Sequence, residues 1–135
     1  YEAQRDQIED FNLVRWALKE KHPTALEGVV FVPEGESFRI CQDVGGIECG
    51  MHGHLGPNGA RANAHSLNRM GSRFIRGHEH SPSIHDGGMT VGMTGDLDQG
   101  YNKGPSSWKR AHGVVYPNGK RTLVTQTDDG FWRAG

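Results

Sequence analysis

Glycine makes up 20 of the 135 residues and gathers around two His-x-His pairs, Gly50-Met-His-Gly-His54 and Gly77-His-Glu-His80. That clustering limits what the chain can fold into more than any other feature. Glycine tolerates positive φ and close backbone approach, so it suits loops that build a site. Imidazole is the commonest neutral ligand for Zn, Mn, Fe and Ni. In an extended or turning segment, side chains at i and i+2 share a face, so each pair can converge on one point. Only 34% of residues are hydrophobic, which predicts a modest core and long loops.

The elements read as follows. Apolar residues at spacings of three and four (Ile8, Phe11, Val14, Leu18) predict a packing helix over 2–21, stopped by Pro23. The β-branched run 28–32 predicts a strand, 34–37 a turn, 38–41 a second strand and 47–51 a third leading into His52. Pro57-Asn-Gly59 predicts a turn, and 60–70 a helix closed by Gly71. Short strands are expected over 73–76 and 89–93. Segments 111–116 and 121–125, joined by Asn118-Gly119, predict a hairpin, with Phe131 and Trp132 covering the sheet or an interface. The order strand, helix, strand, hairpin points to an α/β layered arrangement in one domain, 1–135. His52 and His78 each follow a strand, and ligands gather beyond the carboxyl ends of strands in such sheets, which would bring the two pairs together.

Composition narrows the rest. Net charge is −1, with 15 basic and 16 acidic residues, so bulk charge does not announce a nucleic-acid binder. Cys41 and Cys49 stand eight apart with no secretory pattern around them, which favours reduced thiols in a cytoplasmic protein. No apolar run reaches membrane-spanning length. Lys103, Lys109, Arg110, Lys120 and Arg121, with Trp108 and Tyr116, form a basic-aromatic tract compatible with nucleic-acid contacts; a solvated hairpin with a packing Trp is the plainer reading. His22 reads as solvated, His65 and His112 as structural. His85 and the carboxylates of Asp86, Asp96 and Asp98 are candidates to orient ligands from behind.

Taken in order, strand–Met51-His52-Gly53-His54, a helix, then strand–Gly77-His78-Glu79-His80-Ser81-Pro82 resembles the C-terminal half of calcineurin-like metallophosphoesterases. Residues 87–108, with Tyr101-Asn-Lys-Gly-Pro-Ser-Ser-Trp108, are similar to a subgroup common in bacteriophages. The resemblance covers about Val29 to Val124. It implies a layered β-sandwich flanked by helices and a dinuclear centre of Mn, Fe or Zn. His52 and His78 would bind one ion and His80 the other. His54 stands where the family often has Asp, and would take a catalytic, substrate-contacting place. A bridging hydroxide would attack a phosphodiester or phosphomonoester, with a phage nuclease as one form of the activity. Beside the resemblance, Asn58 and Arg61, at the entry to the expected helix, are candidates to receive the phosphate.

The family's N-terminal Asp-x-His, Gly-Asp-x-x-Asp and Gly-Asn-His elements do not occur ahead of His52. Three imidazoles without a bridging carboxylate should hold two ions poorly. The expectation is therefore the C-terminal portion of a longer enzyme, inactive alone and completed by a missing N-terminal half or a partner chain, in the host cytoplasm if phage-encoded. The alternative is a non-catalytic module on the same scaffold that binds a protein or nucleic acid. A single-Zn nuclease is weaker, since Gly-His-Glu-His lacks the cysteine or asparagine partners of such sites.

Overall fold

The computed structural model describes His22, Thr24, residues 27–30, Val32, residues 35–60 and residues 62–135. The chain divides into two compact units, 1–31 and 32–135. In the first unit, Glu27 N–H donates to the Thr24 carbonyl at 3.1 Å. The helix expected over 2–21 lies outside the described residues. The described part of the expected 28–32 strand is not strand, and Val30 is 83% exposed.

The second unit holds two sheets. The first has five strands: β1 (Arg39–Ile40), β2 (Ile47–Glu48), β3 (Arg73–Arg76), β4 (Ser83–His85) and β5 (Gly88–Thr90), in the order β1-β2-β3-β5-β4. β2 runs parallel to β3, and β3 parallel to β5. The second sheet is an antiparallel meander of β6 (Ala111–Val115), β7 (Arg121–Gln126) and β8 (Trp132–Ala134). One helix, α1 (Ala64–Asn68), lies in the β2–β3 crossover and packs on β5.

The expected α/β layered β-sandwich flanked by helices is therefore corrected: the described residues are mostly short β-strands in two sheets, with one five-residue helix and two 3-10 turns. The expected helix over 60–70 shows why. Asn63 caps it through its side chain, which accepts from Ser66 N–H at 2.8 Å while Ser66 Oγ accepts from Asn63 N–H at 3.0 Å. Capping at 63 leaves 60–62 outside, and Gly71, left-handed at φ 66, follows soon after its end. What remains is too short to cover a sheet.

Among the described residues the buried apolar set is small: Ile47, Leu67, Phe74, Met89 and Ala111. Glycine admits it. A Cβ at Gly88 would lie 2.5 Å from the Phe74 ring, and one at Gly113 2.9 Å from Met89 Sδ. The two sheets of this unit are also tied by guanidinium groups. Arg121 donates to the carbonyls of Phe74 at 3.0 Å and Gly87 at 2.7 Å, and Arg73 donates to Gly119 O at 3.3 Å and to Val44 O. The hairpin turn forms as predicted, with Asn118 Oδ1 accepting from Lys120 N–H at 3.0 Å. β4 and β8 were not expected. The 47–51 strand stops at Glu48 and the 89–93 strand at Thr90.

Candidate functional site

Because β2 and β3 are parallel neighbours, their carboxyl ends release the two histidine loops side by side. The loops are joined by the backbone: Gly77 N–H donates to the His52 carbonyl at 3.0 Å. Three imidazoles result in a triangle. Ring centroids are 5.2 Å apart for His52–His78, 5.5 Å for His52–His54 and 6.0 Å for His54–His78. His52 Nε2 and His78 Nδ1 are 3.3 Å apart.

That separation bears on metal binding. Two nitrogens each about 2.0–2.1 Å from one tetrahedral ion stand about 3.3–3.4 Å apart. His52 and His78 thus fit adjacent positions on one ion, and without it the same distance serves a ring–ring hydrogen bond. Among the described residues, no group of three or more His, Cys, Asp or Glu is set to hold an ion as it stands. His80 does not join the triangle by ring contact but packs edge-on against Trp108 at 4.6 Å. Among the described residues, no ligand set for a second ion is gathered around His80 as it stands. Crowding out of water, then the charges of His52, His54, His80 and Arg76, holds His78 below the ordinary imidazole value. A neutral ring keeps its lone pair available to a metal.

The residue that sets this geometry was not singled out from the sequence. Arg76, at the end of β3, is 1% exposed. Its Nη1 donates to Gly53 O at 3.2 Å, between His52 and His54. Its Nη2 pairs with Glu79 at 2.5 Å, between His78 and His80, and its Nε donates to Thr90 Oγ1 on β5 at 3.1 Å. One buried cation therefore pins both loops to the sheet. The signal was available: Arg73-Phe-Ile-Arg76 alternates, so residue 76 shares the buried parity of Phe74. His78 and His80 are both left-handed, at φ 73 and 58, and Gly53 has φ 104. Histidine tolerates that region better than most residues, and the pinned loops hold it there.

Glu48, the last residue of β2, is the second organiser. It is 8% exposed and accepts from Phe38 N–H at 2.9 Å, Gly50 N–H at 2.8 Å and the Ser37 hydroxyl. Burial works against its charge, but Ser37, Gly50, Phe38 and Arg39 together outweigh it and hold the carboxyl below its usual range. It lines a cavity of about 250 Å³ with Ser37, Met51, His52 and His54. His78 and Glu79 border a separate recess with Ala62 and Asn63.

The other candidates lie elsewhere. Asn58 is exposed on the 3-10 turn Pro57–Gly59, left-handed at φ 59, and Arg61 lies outside the described residues. Asp86 faces His85 at 3.3 Å and Asn68 at 3.4 Å. Asp96 lies 3.9 Å from Arg110, and Asp98 accepts from Gly100 N–H at 2.9 Å. The hydrogen bonds and ion pairs of these carboxylates go to His85, Asn68, Arg110 and loop backbone; Arg76 and Glu79 organise the histidine loops. His112 stacks on Trp132 at 4.7 Å, and the His65 side chain lies outside the described residues. Cys41 and Cys49 are free thiols. Among the described residues, no helix is long and apolar enough to cross a membrane.

Over 124 residues, 92% of its length, the chain is 41% identical to "Protein A1" of Escherichia phage T5. The match spans 21% of that protein. No protein-family model matches the chain, and no solved structure does.

Proposed function

We propose that this chain supplies the histidine ligands of a metal-dependent phosphoesterase, acting on a phosphodiester or phosphomonoester in the host cytoplasm. The observation that carries the reading is the 3.3 Å approach of His52 Nε2 to His78 Nδ1 at the ends of two parallel strands. Likeness to a phage protein agrees with a phage setting. His52 and His78 would hold a Mn, Fe or Zn ion. When bound, such an ion lowers the pKa of its water and neutralises phosphoryl oxygens. His54, its ring 5.5 Å from that of His52, would meet the substrate, and Arg76 would steady the two loops through Gly53 O and Glu79.

The missing acidic ligands would come from another chain or from further segments of a longer protein, so this chain alone is expected to turn over no substrate. Zn and Mn titrations by calorimetry test the reading. One ion per chain, lost in both His52→Ala and His78→Ala, is expected. No ion, or an ion indifferent to both substitutions, refutes it. The packing of His80 on Trp108 favours a second reading, a non-catalytic binding module. It predicts that Mn-dependent cleavage of bis(p-nitrophenyl) phosphate stays absent even when the flanking segments of a longer protein are restored.

A further inference from the structure

We propose that Tyr101 and Trp108 form a base-stacking site for single-stranded nucleic acid, reaching away from the histidine triangle along residues 101–110. The claim that this strand is the phosphoester substrate rests on the function proposed above; the binding itself does not.

The segment is docked on the second histidine loop. Lys109 N–H donates to the His80 carbonyl at 3.1 Å, and the Ser81 and Ser107 hydroxyls are 2.7 Å apart. Trp108 is wedged between His80, at 4.6 Å, and Tyr101, at 5.7 Å, both edge-to-face. Tyr101 is nevertheless 69% exposed, so one ring face is open while Trp108 holds the ring from the side. Its loop is fixed by Asn102, which accepts from Gln99 N–H and donates to Leu97 O, both at 2.8 Å. An exposed aromatic held in this way loses little entropy when a flat ligand lands on it.

The local charge selects the ligand. The segment 101–110 itself carries Lys103, Lys109 and Arg110 and no carboxylate, with Asp96, Asp98 and Asp128 at its borders, while Arg121 is engaged with the Phe74 and Gly87 carbonyls. Lys103 is exposed and has no ion pair among the described residues. Lys109, exposed, meets Asp128 only at 4.0 Å, a pair weak enough to yield to phosphate, whereas Arg110 is held by Gly95 O at 3.0 Å and Gln126 Oε1 at 3.1 Å as well as facing Asp96 at 3.9 Å. A ligand with flat π-faces at intervals along a chain of phosphates answers both features, and that is a nucleic-acid strand with its bases unpaired.

The test is fluorescence anisotropy in EDTA, with the 135-residue chain and a labelled oligothymidylate of about twelve nucleotides, within the site sizes such grooves occupy. An abasic strand of equal length and charge, oligouridylate, and a duplex are compared. Thymidylate should bind about tenfold tighter than the abasic strand, the effect of losing a stacked base. Tyr101→Phe should keep that difference and Tyr101→Leu should abolish it. Oligouridylate set against oligodeoxyuridylate, which differs from it only at the 2′ position, identifies the sugar. Equal binding of the abasic strand, of the duplex, or by Tyr101→Leu overturns the proposal, as does no binding at all. The metal titration is read separately. Strand binding without metal binding would sink the phosphoesterase reading alone; metal binding without strand binding would sink this one alone.

Discussion

Replacing Arg76 by Met removes the charge while nearly filling the same volume. The guanidinium makes three bonds from a fully buried position, to Thr90, Gly53 and Glu79. Breaking a buried ion pair from one side costs about 3–5 kcal/mol when the remaining charge is stranded. Glu79 is 35% exposed and can rehydrate, so its share falls towards that of a surface pair. The Gly53 carbonyl and Thr90 hydroxyl are deeper and lose a partner at about 1 kcal/mol each. A loss of about 3 kcal/mol follows, a large part of the 5–15 kcal/mol typical of whole domains. Urea unfolding followed by circular dichroism measures it. The positioning role needs a second readout, since any core substitution destabilises. Leu67→Ala, with a comparable cost of about 2–5 kcal/mol, deletes apolar packing under α1 and touches neither loop carbonyl. Under conditions where all variants are folded, Arg76→Met should weaken Zn binding about 10–100-fold, as loss of a partner behind a metal ligand does. Leu67→Ala should leave it within a few-fold. Arg76→Lys, which keeps the charge but cannot serve three acceptors, should fall between. Equal Zn affinity in Arg76→Met and the parent chain would refute the argument that this residue sets the triangle.

Acid should loosen the β1–β2 edge of the site. Glu48 has its folded value depressed, so its contribution is present above its ordinary value near pH 4.5 and is lost as pH falls through the folded value. Glu48→Gln should cost about 1–3 kcal/mol at neutral pH and flatten the decline in melting temperature below pH 5; an unchanged acid limb would count against it. The two loop glycines should respond unequally to alanine. At Gly53 the backbone has φ 104 and a Cβ would lie 2.9 Å from Arg76 Cδ, which predicts a loss of about 1–3 kcal/mol in urea unfolding. At Gly77 the nearest atom is 3.8 Å away and φ is not positive, so Gly77→Ala should change stability by about 0.5 kcal/mol or less.

What the sequence revealed depended on whether a rule's geometric condition was met. The i, i+2 rule assumes extended backbone. His52 and His54 do end with rings 5.5 Å apart, but across a bend at Gly53, φ 104, rather than by alternation. The rule failed for His78 and His80, because both residues are left-handed and the alternation no longer applies. His78 turns to His52 and His80 to Trp108. The meeting of the two loops was legible, since it needs only strand order. β4 was missed although Asp86-Gly87 is a strong hairpin signal between Ser83–His85 and Gly88–Thr90. Reading those residues as a ligand loop hid the turn. The overestimate of helix had a different cause: apolar spacing over 60–70 was counted without weighing Asn63 as a cap.

The deeper reason for the misjudged fold is how this chain achieves cohesion. With few apolar residues buried among those described, strands of two to six residues are held only in part by packing. Arginine supplies the difference. Arg73, Arg76 and Arg121 each donate to backbone carbonyls in loops or neighbouring strands, 23 to 47 positions away. Backbone carbonyls are independent of side-chain identity, so such bonds leave no apolar period for a sequence reader to find. They also explain why loops so rich in glycine can hold imidazoles at fixed separations. The guanidinium group carries five donors in a rigid fork and keeps its charge at any ordinary pH, so one buried arginine fixes several loop segments at once. In this fold the residue that ends β3 and the site that follows it are therefore one construction, and the histidine geometry should track Arg76 more closely than it tracks the apolar core.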